Sequence, residues 1–406
     1  MPSIAIIGAG VTGVTTAYEL HRLGFDVTVH DRQRYAAMET SFANGGQLSA
    51  SNAEVWNQAS TVLKGLKWMW RRDAPLLVSL KPSWHKASWM AEFVRAIPQY
   101  RENTIRTTRM AIAARDGLRE MAQTAGVEFD LLPAGILHFY GNEHDMDHAR
   151  EVTRLLAEGG LERRELTPDE VRARCPELNG DLVGGFWTES DMTGDIHKFT
   201  KGVAGWLKSR GVRFEMGRGV EKLVRKDSGG VDVDGTHYDA VVLCAGVASR
   251  GFAAQLGERL NVYPVKGYSI TVNLRDEGSR AAAPTVSLLD DAAKIVTSRL
   301  GPDRFRIAGT AEFNGENRDI RDDRIRPLVK WCERYFPGVD TDSVVPWAGL
   351  RPMMPNMMPR VGAGAGQGVF FNTGHGHLGW TLSAATARIL ASEVSAQMAP
   401  EIHRAA

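Results

Sequence analysis

The residues of this 406-residue chain that could do chemistry fall in widely separated short stretches. Near the N-terminus Gly8-x-Gly10-x-x-Gly13 is followed by Asp31 and Arg32, and near the C-terminus "NTGHGHLGWT" (372–381) crowds glycines and histidines together. Between them, "YPVKGYS" carries Lys266 and Tyr268, and "GLRPMMP" carries Arg351. The first glycines let backbone approach a pyrophosphate at a helix N-terminus, where free N–H groups attract anions. Asp31 then accepts hydrogen bonds from ribose hydroxyls and disfavours a 2′-phosphate, which argues against NADP. His375-x-His377 invites a metal reading, but no Asp, Glu or Cys cluster completes a shell and the glycines leave the segment floppy, so no metal is expected. Arg351 offers a planar, permanently charged fork suited to a carboxylate in a water-poor pocket, and Pro352 and Pro355 stiffen its loop. Tyr268 reads equally as a pocket hydroxyl or a strand aromatic, and Lys266 carries the same ambiguity.

The elements that must position these residues are legible in part. Ile4–Ile7 is a short apolar run suited to a strand buried on both faces, a helical pattern runs from Val11 to Leu23, and Val27–Val29 forms a second strand ending at Asp31. Strand, glycine turn, helix and a following acid give the fingerprint its full context. The same grammar returns at 198–246, where a helix around Phe199–Lys208 leads to "HYDAVVLCAG" and the turn Ala245-Gly246, a place where backbone passes close to a cofactor. At the C-terminus the apolar "VFFN", the glycine turn and the helix of "TLSAATARILASEV" repeat strand, turn and helix, a second anion or carbonyl site. Residues 51–195 are different, with crowded tryptophans, long amphipathic stretches and the capping box Thr167-x-x-Glu170. Residues 261–345 are strand-rich with one charged helix, Asp319–Phe336, whose arginines and aspartates read as a solvated face. The expectation is an α/β (α+β overall) protein with two lobes. A Rossmann-like dinucleotide domain takes 1–50, 196–250 and 346–406, and a discontinuous mixed-sheet substrate domain takes 51–195 and 251–345.

Taken together, the N-terminal fingerprint, "ETSFANGGQLS" (39–49), "YPVKGYS" (263–269), "WAGLRPMMP" (347–355) and "NTGHGHLGWT" resemble the D-amino-acid oxidase family of FAD flavoproteins, most closely its bacterial D-amino-acid dehydrogenase branch. The resemblance spans nearly the whole chain. It implies FAD bound in an extended form, with Gly8, Gly10, Val11, Thr12 and Gly13 at the pyrophosphate and Asp31 and Arg32 at the ribose. Thr40, Ser41, Asn44, Gly45, Gly46 and Gln47 line the phosphates and approach the flavin ring. Val220, Ala245 and Gly246 join the nucleotide side. Gly374, His375, Gly376, His377, Leu378, Gly379 and Trp380 lie under the pyrimidine end, mostly through backbone. It also implies that Arg351 pairs with the substrate carboxylate, with Lys266 and Tyr268 nearby. The reaction implied is oxidation of an amino acid to an imino acid that hydrolyses to a 2-oxo acid and ammonia. Rival substrates on the same scaffold are glycine, sarcosine or 4-hydroxy-D-proline, and rival classes are an oxygen-using oxidase, an NAD-dependent enzyme or a nucleotide sensor. One departure stands out: "RPMMPNMMPRVG" places Asn356, Met357 and Met358 where such proteins often carry an aspartate-glycine turn, an expected reshaping of the site's edge.

Composition sets outer bounds. With 49 Lys plus Arg against 48 Asp plus Glu, the formal charge of +1 points away from nucleic acid. Three scattered cysteines without C-x-x-C fit a reducing compartment rather than a disulfide or zinc framework. No signal peptide or membrane span is visible, so a cytoplasmic location is expected. The stretch "LKGLKWMWRRDAPLLVSL" surrounds Trp68 and Trp70 with Lys64, Lys67, Arg71 and Arg72. It reads first as packing of the substrate lobe and second as an interfacial patch giving peripheral contact with the inner membrane face and electron delivery to a quinone-type acceptor.

Overall fold

The computed structural model describes residues 1–61 and 76–402. Lys64, Lys67, Trp68, Trp70, Arg71 and Arg72 lie outside the described residues.

The nucleotide-side lobe is built on a six-stranded sheet in the order Arg360–Ala363, Val369–Thr373, Ala240–Leu243, Ser3–Ile7, Asp26–Asp31, Arg213–Met216. All its pairs are parallel except the edge pair formed by Arg360–Ala363. Strand alternation sends Ile4 and Ile6 to one face and Ala5 and Ile7 to the other, and both faces are buried. That double burial is why "IAII" is continuously apolar. One face packs helices Val11–Arg22, Ile196–Ser209 and Gly379–Ile402; the other is covered by a small antiparallel sheet (Leu223–Arg225, Val231–Val233, Thr236–Tyr238) and helix Ser249–Gln255.

The second lobe is a nine-stranded mixed sheet that starts from three long antiparallel strands, Val344–Met353 at the edge, then Tyr263–Asn273 and Arg304–Phe313, the last also paired with the short strand Leu76–Val78. Beyond them follow Ile295–Arg299, Ser287–Asp290, Ile136–Tyr140, Gly184–Thr188 and Arg164–Leu166. Two features cut across the expected division of the chain. Strand Val344–Met353 is hydrogen-bonded into this mixed sheet along ten residues of its neighbour, so residue 346 falls inside a strand. Helix Tyr100–Ala125 buries Ala114, Leu118, Met121 and Ala122 in the core of the nucleotide-side lobe. The charged helix begins at Asp322, and its Arg324 is fully buried rather than solvated, lying where Glu312 and Tyr268 act on its charge.

Gly13 fixes how the first helix meets the first strand. A Cβ there would stand 1.9 Å from the carbonyl oxygen of Gly8, a backbone atom that cannot step aside. Gly13→Ala is therefore expected to destabilise the fold by about 1–3 kcal/mol, the usual range for overpacking. The exposed helical Gly205, whose Cβ would meet nothing within 4 Å, supplies the control: Gly205→Ala should match or exceed the parent in the same urea titration.

Candidate active site

Both lobes open onto one cavity of about 700 Å³. Its nucleotide end is the N-terminus of helix Val11–Arg22, which has no side-chain cap at Gly10. Among its first amides only that of Val11 is engaged by a side chain, donating to Ser41 Oγ at 3.1 Å, so the end of the helix offers free N–H groups to an anion. Gly8, Gly10, Val11 and Thr12 line the cavity, whereas Gly13 sits beneath it in the helix–strand contact. Asp31 accepts from the backbone N–H of Ala9 (2.7 Å) and of Gln33 (2.8 Å), one to each oxygen. Burial pushes its carboxyl up from the ordinary range, and those two amides pull it back. Arg32 turns to Glu39 at 2.7 Å, so its fork is already engaged by a carboxylate at the cavity wall. Val220, Ala245 and Gly246 complete this end.

The middle is a tight loop. Thr40 donates to the Leu350 carbonyl at 2.8 Å, tying the loop to the strand that carries Arg351. Asn44 accepts from the Gly46 N–H at 3.0 Å, while Gly45 and Gly46 pass so close to Val296 and Ser298 that a Cβ would overlap them, at 2.6 and 2.9 Å. Gln47 donates to Ser287 Oγ and the Leu288 carbonyl, which leaves its buried Oε1 without a partner at the cavity wall. A buried acceptor in that position calls for a donor from a bound molecule.

Gly374 to Trp380 close the opposite side, running through a 3-10 turn, Gly376–Leu378, that has no side-chain cap and into the start of helix Gly379–Ile402. The two histidines differ. His375 points away into the helix, with Nε2 within 3.0 Å of Thr386 Oγ1. His377 stacks on Trp56 (4.8 Å, 20°) and its Nε2 meets the Asn52 carbonyl at 3.2 Å, so Nε2 carries the proton and Nδ1 is bare. Burial holds His375 down to about 3 and His377 to about 4, the latter with help from the charges of Arg351 and Lys294. No group of three or more His, Cys, Asp and Glu side chains among the described residues could hold a metal ion.

Arg351 is the centre of the far wall. Its guanidinium lies against the backbone of Gly267, where a Cβ would stand 2.3–2.4 Å from Cζ, Nη1 and Nη2 alike. Nη1 donates to the Thr310 carbonyl at 2.9 Å, and no carboxylate of the described residues pairs with it. Burial alone lowers its pKa to about 10. Thr310 is a β-branched residue at φ 60°, inside a bulge where Lys266 faces Glu312 but Tyr268 faces Gly309. The bulge turns that carbonyl toward the arginine, and such strain persists only where surrounding structure imposes it.

Sequence reading placed Lys266 and Tyr268 beside the substrate, and strand alternation puts their charged and polar ends on the other side. Lys266 is fully buried and does not line the cavity; its Nζ donates to Asn317 Oδ1 (2.6 Å) and pairs with Glu312 (3.3 Å). Tyr268 touches the cavity but donates its hydroxyl to Glu312 at 2.7 Å. The expected edge effect of Asn356, Met357 and Met358 also moves: both methionines are buried, Met357 in an apolar cluster with Trp89 and Phe93, and none of the three lines the cavity. Sequence reasoning missed Ser51, Trp56, His138, Asp291, Lys294 and Thr310, all of which line it. Of these only the alternation in "ILHFY", which puts His138 and Tyr140 on one strand face, left a trace in the sequence.

With this geometry in view, comparison with known proteins is decisive. Residues 3–393 match the DAO family model, described as FAD dependent oxidoreductase. The chain belongs to this FAD-dependent oxidoreductase family. "D-amino acid dehydrogenase 3" of Mesorhizobium japonicum is 59% identical over 404 residues, covering 98% of each chain. "D-amino acid dehydrogenase" of Paramagnetospirillum magneticum is 41% identical, covering 97% of this chain and 94% of that one. Glycine oxidase from Geobacillus kaustophilus shares the fold, with a TM-score of 0.75 at 20% identity and 98% coverage of both chains. L-proline dehydrogenase from P. horikoshii does so with a TM-score of 0.75 at 13% identity, covering 97% and 93%. The uncapped N-terminus of helix Val11–Arg22 and the orphaned Gln47 oxygen are features that a dinucleotide flavin of this family would satisfy.

Two outcomes follow. A Cβ at Gly10 would meet only Ser41 Oγ, at 3.6 Å, so Gly10→Val should fold but emerge without flavin absorbance; full flavin retention would place the pyrophosphate elsewhere. The buried histidines make the folded state acid-sensitive. Because His375 stays neutral when folded and titrates at its ordinary value when unfolded, its contribution is complete above pH 6.5 and drains away as pH falls towards about 3. Urea midpoints should drop over that window by about 1.4 kcal/mol of stability per pH unit for this histidine, and His375→Gln should flatten the slope.

Proposed function

We propose that this member of the family is a D-amino-acid dehydrogenase, oxidising its substrate to an imino acid that water converts to a 2-oxo acid and ammonia. Arg351 carries the reading. A guanidinium kept in a cavity with no carboxylate partner among the described residues suits a substrate's carboxylate, in the planar two-point geometry that only arginine provides. Bound FAD supplies the hydride acceptor at N5. The chain's own part is placement: Gly267 and Thr310 hold the fork flat, the substrate carboxylate docks on it, and the Cα–H is thereby oriented. His377, neutral, with Nδ1 bare and Nε2 tied back, offers an acceptor beside that charge rather than a competing cation. Lys266 and Tyr268 belong to this scheme as support beneath the strand. Cavity wall continues past Arg351 to Trp56, Tyr140 and His148, which favours an amino acid with a side chain over glycine or sarcosine.

Electrons leave, in this reading, to a quinone-type acceptor, from protein held peripherally on the inner membrane face. No helix among the described residues is long and apolar enough to cross a membrane. At and just after the end of the basic tryptophan stretch in sequence, Leu80 and Trp84 are 77% and 86% exposed, with Lys81 and Lys86 near them in the chain, a composition suited to an interface. Rapid peroxide formation in air would favour an oxidase instead.

Anaerobic bleaching of the purified flavin by a panel of D- and L-amino acids tests the activity, with reduction expected from the D-series. Arg351→Ala should keep its flavin and lose kcat/KM by roughly 3 kcal/mol or more, and Arg351→Lys should restore only part of it. Near-normal kinetics in the alanine variant would put the carboxylate elsewhere.

A further inference from the structure

An amino acid reaches this cavity as an ammonium ion, whereas hydride can leave Cα only when the nitrogen lone pair is free to form the C=N bond. A proton must therefore go somewhere, and Arg351 cannot take it. Resting on the dehydrogenase reading, we propose that Ser51, His138 and Asp291 form a relay that accepts this proton from the substrate's ammonium group and leads it toward the cavity mouth.

The groups form a continuous line. Ser51 Oγ lies 2.9 Å from His138 Nε2, and His138 Nδ1 lies 3.6 Å from Asp291 Oδ2. All three line the cavity. Ser51 and His138 are each only 3% exposed, but the Asp291 side chain is 34% exposed, so the line runs from the buried wall to a more accessible group. Ser51 is fixed by its own N–H, which donates to Asp191 Oδ2 at 3.0 Å, and it sits one residue before Asn52, whose carbonyl holds His377. Its loop therefore borders His377, whose ring feels the charge of Arg351.

Electrostatics sets the resting state. Burial, and then Arg163, lower the His138 pKa, while Asp291 and Asp191 oppose them, so the ring is neutral and able to accept. Burial pushes Asp291 up, but Lys294 (3.1 Å), His138 and Tyr140 (2.8 Å) hold it well below the carboxylate range, so it stays an anion ready to pair with an imidazolium. An acceptor-only carboxylate next to Nδ1 selects the Nδ1–H tautomer and leaves Nε2 as acceptor for the Ser51 hydroxyl. In the transfer one ammonium N–H bond breaks and its electron pair remains on nitrogen. Ser51 Oγ gains that proton and passes its own to Nε2. The substrate ends one proton poorer, His138 ends as an imidazolium against Asp291, and no electrons change hands. His377 cannot substitute, because its bare nitrogen is held to about 4 and its other nitrogen ends on a backbone carbonyl.

The test is anaerobic stopped-flow reduction of the holoenzyme by D-alanine from pH 6 to 10, for wild type and His138→Asn. At pH 7 the variant should be slower by roughly 100-fold, a usual share for one acid–base group. It should regain about tenfold per pH unit as the amine loses its proton unaided, approaching wild type near pH 9. A purely structural role would slow the variant equally at every pH, and that flat deficit would overturn the relay. Should His138→Asn fail to fold, Ser51→Ala breaks the same line and must reproduce the profile. A second readout needs no turnover: 2-aminoisobutyrate, which has no Cα–H, should shift the ¹⁵N resonances of His138 to imidazolium positions on binding at pH 7.5, and unmoved resonances would overturn the proposal. Wild-type flavin that no D-amino acid bleaches would instead overturn the dehydrogenase reading, and the relay with it.

Discussion

A buried cation without an anion beside it is unstable unless something else holds it in place, and Arg351, which has no carboxylate partner among the described residues, is held by backbone. Its guanidinium rests on Gly267 and donates to the carbonyl of Thr310. Each of those contacts depends on a long antiparallel pairing: Val344–Met353 against Tyr263–Asn273 sets Arg351 beside Gly267, and the bulge against Arg304–Phe313 turns Thr310 inward. Burying an unpaired charge costs free energy that the fold must supply elsewhere. In the proposed reading, that place is reserved for a ligand's carboxylate, which would complete the pair.

The polar groups behind the strand make this placement rigid. Lys266, Glu312 and Tyr268 form a buried cluster one residue out of phase with Gly267 and Arg351, and Arg321 reaches Glu312 from outside at 3.5 Å. On the opposite wall Asp191 accepts from the backbone of Ala50 and Ser51 and pairs with Arg115, fixing the loop after Gln47–Leu48. Both clusters satisfy their charges internally, as buried ions must. The cavity therefore has fixed walls on either side of the space where substrate and flavin meet.

What the sequence made legible was local chemistry with a strict spacing. Gly8, Gly10, Gly13 and Asp31 work within one strand–helix–strand unit, and "NTGHGHLGWT" carries its strand, turn and helix with it, so their meaning survives without the rest of the fold. Arg351 was readable because a planar charged fork suits a carboxylate and its motif carried the resemblance, although the loop expected around it is the end of strand Val344–Met353. Lys266 and Tyr268 were misplaced by the smallest possible error: a strand's side chains alternate, and one residue decides whether a group faces the cavity with Gly267 or the cluster behind it. Ser51, His138 and Asp291 were invisible for the converse reason. They come from a loop, a strand and a turn far apart in the chain, and only the parallel pairing of Ile136–Tyr140 with Ser287–Asp290 brings them into line. The domain division suffered likewise, because Val344–Met353 has a nucleotide-side neighbour in sequence and a mixed-sheet neighbour in space.

The same desolvation acts on protein and substrate. Burial, aided by Arg351 and Lys294, brings His377 down to about 4 from an ordinary 6.5, a measure of how strongly this wall disfavours positive charge. An amino acid held here as proposed, its carboxylate matched by Arg351, would meet a similar penalty on its ammonium group. Part of the work of deprotonation is thus done by the act of binding, and the Ser51–His138–Asp291 line need only collect a proton already made unstable. Asp291 is what lets the line succeed where an isolated buried histidine would not: its anion makes an imidazolium tolerable in a place that otherwise rejects cations. One wall thus disfavours the charge on the substrate's nitrogen, and the adjoining one offers that charge a paired position closer to water.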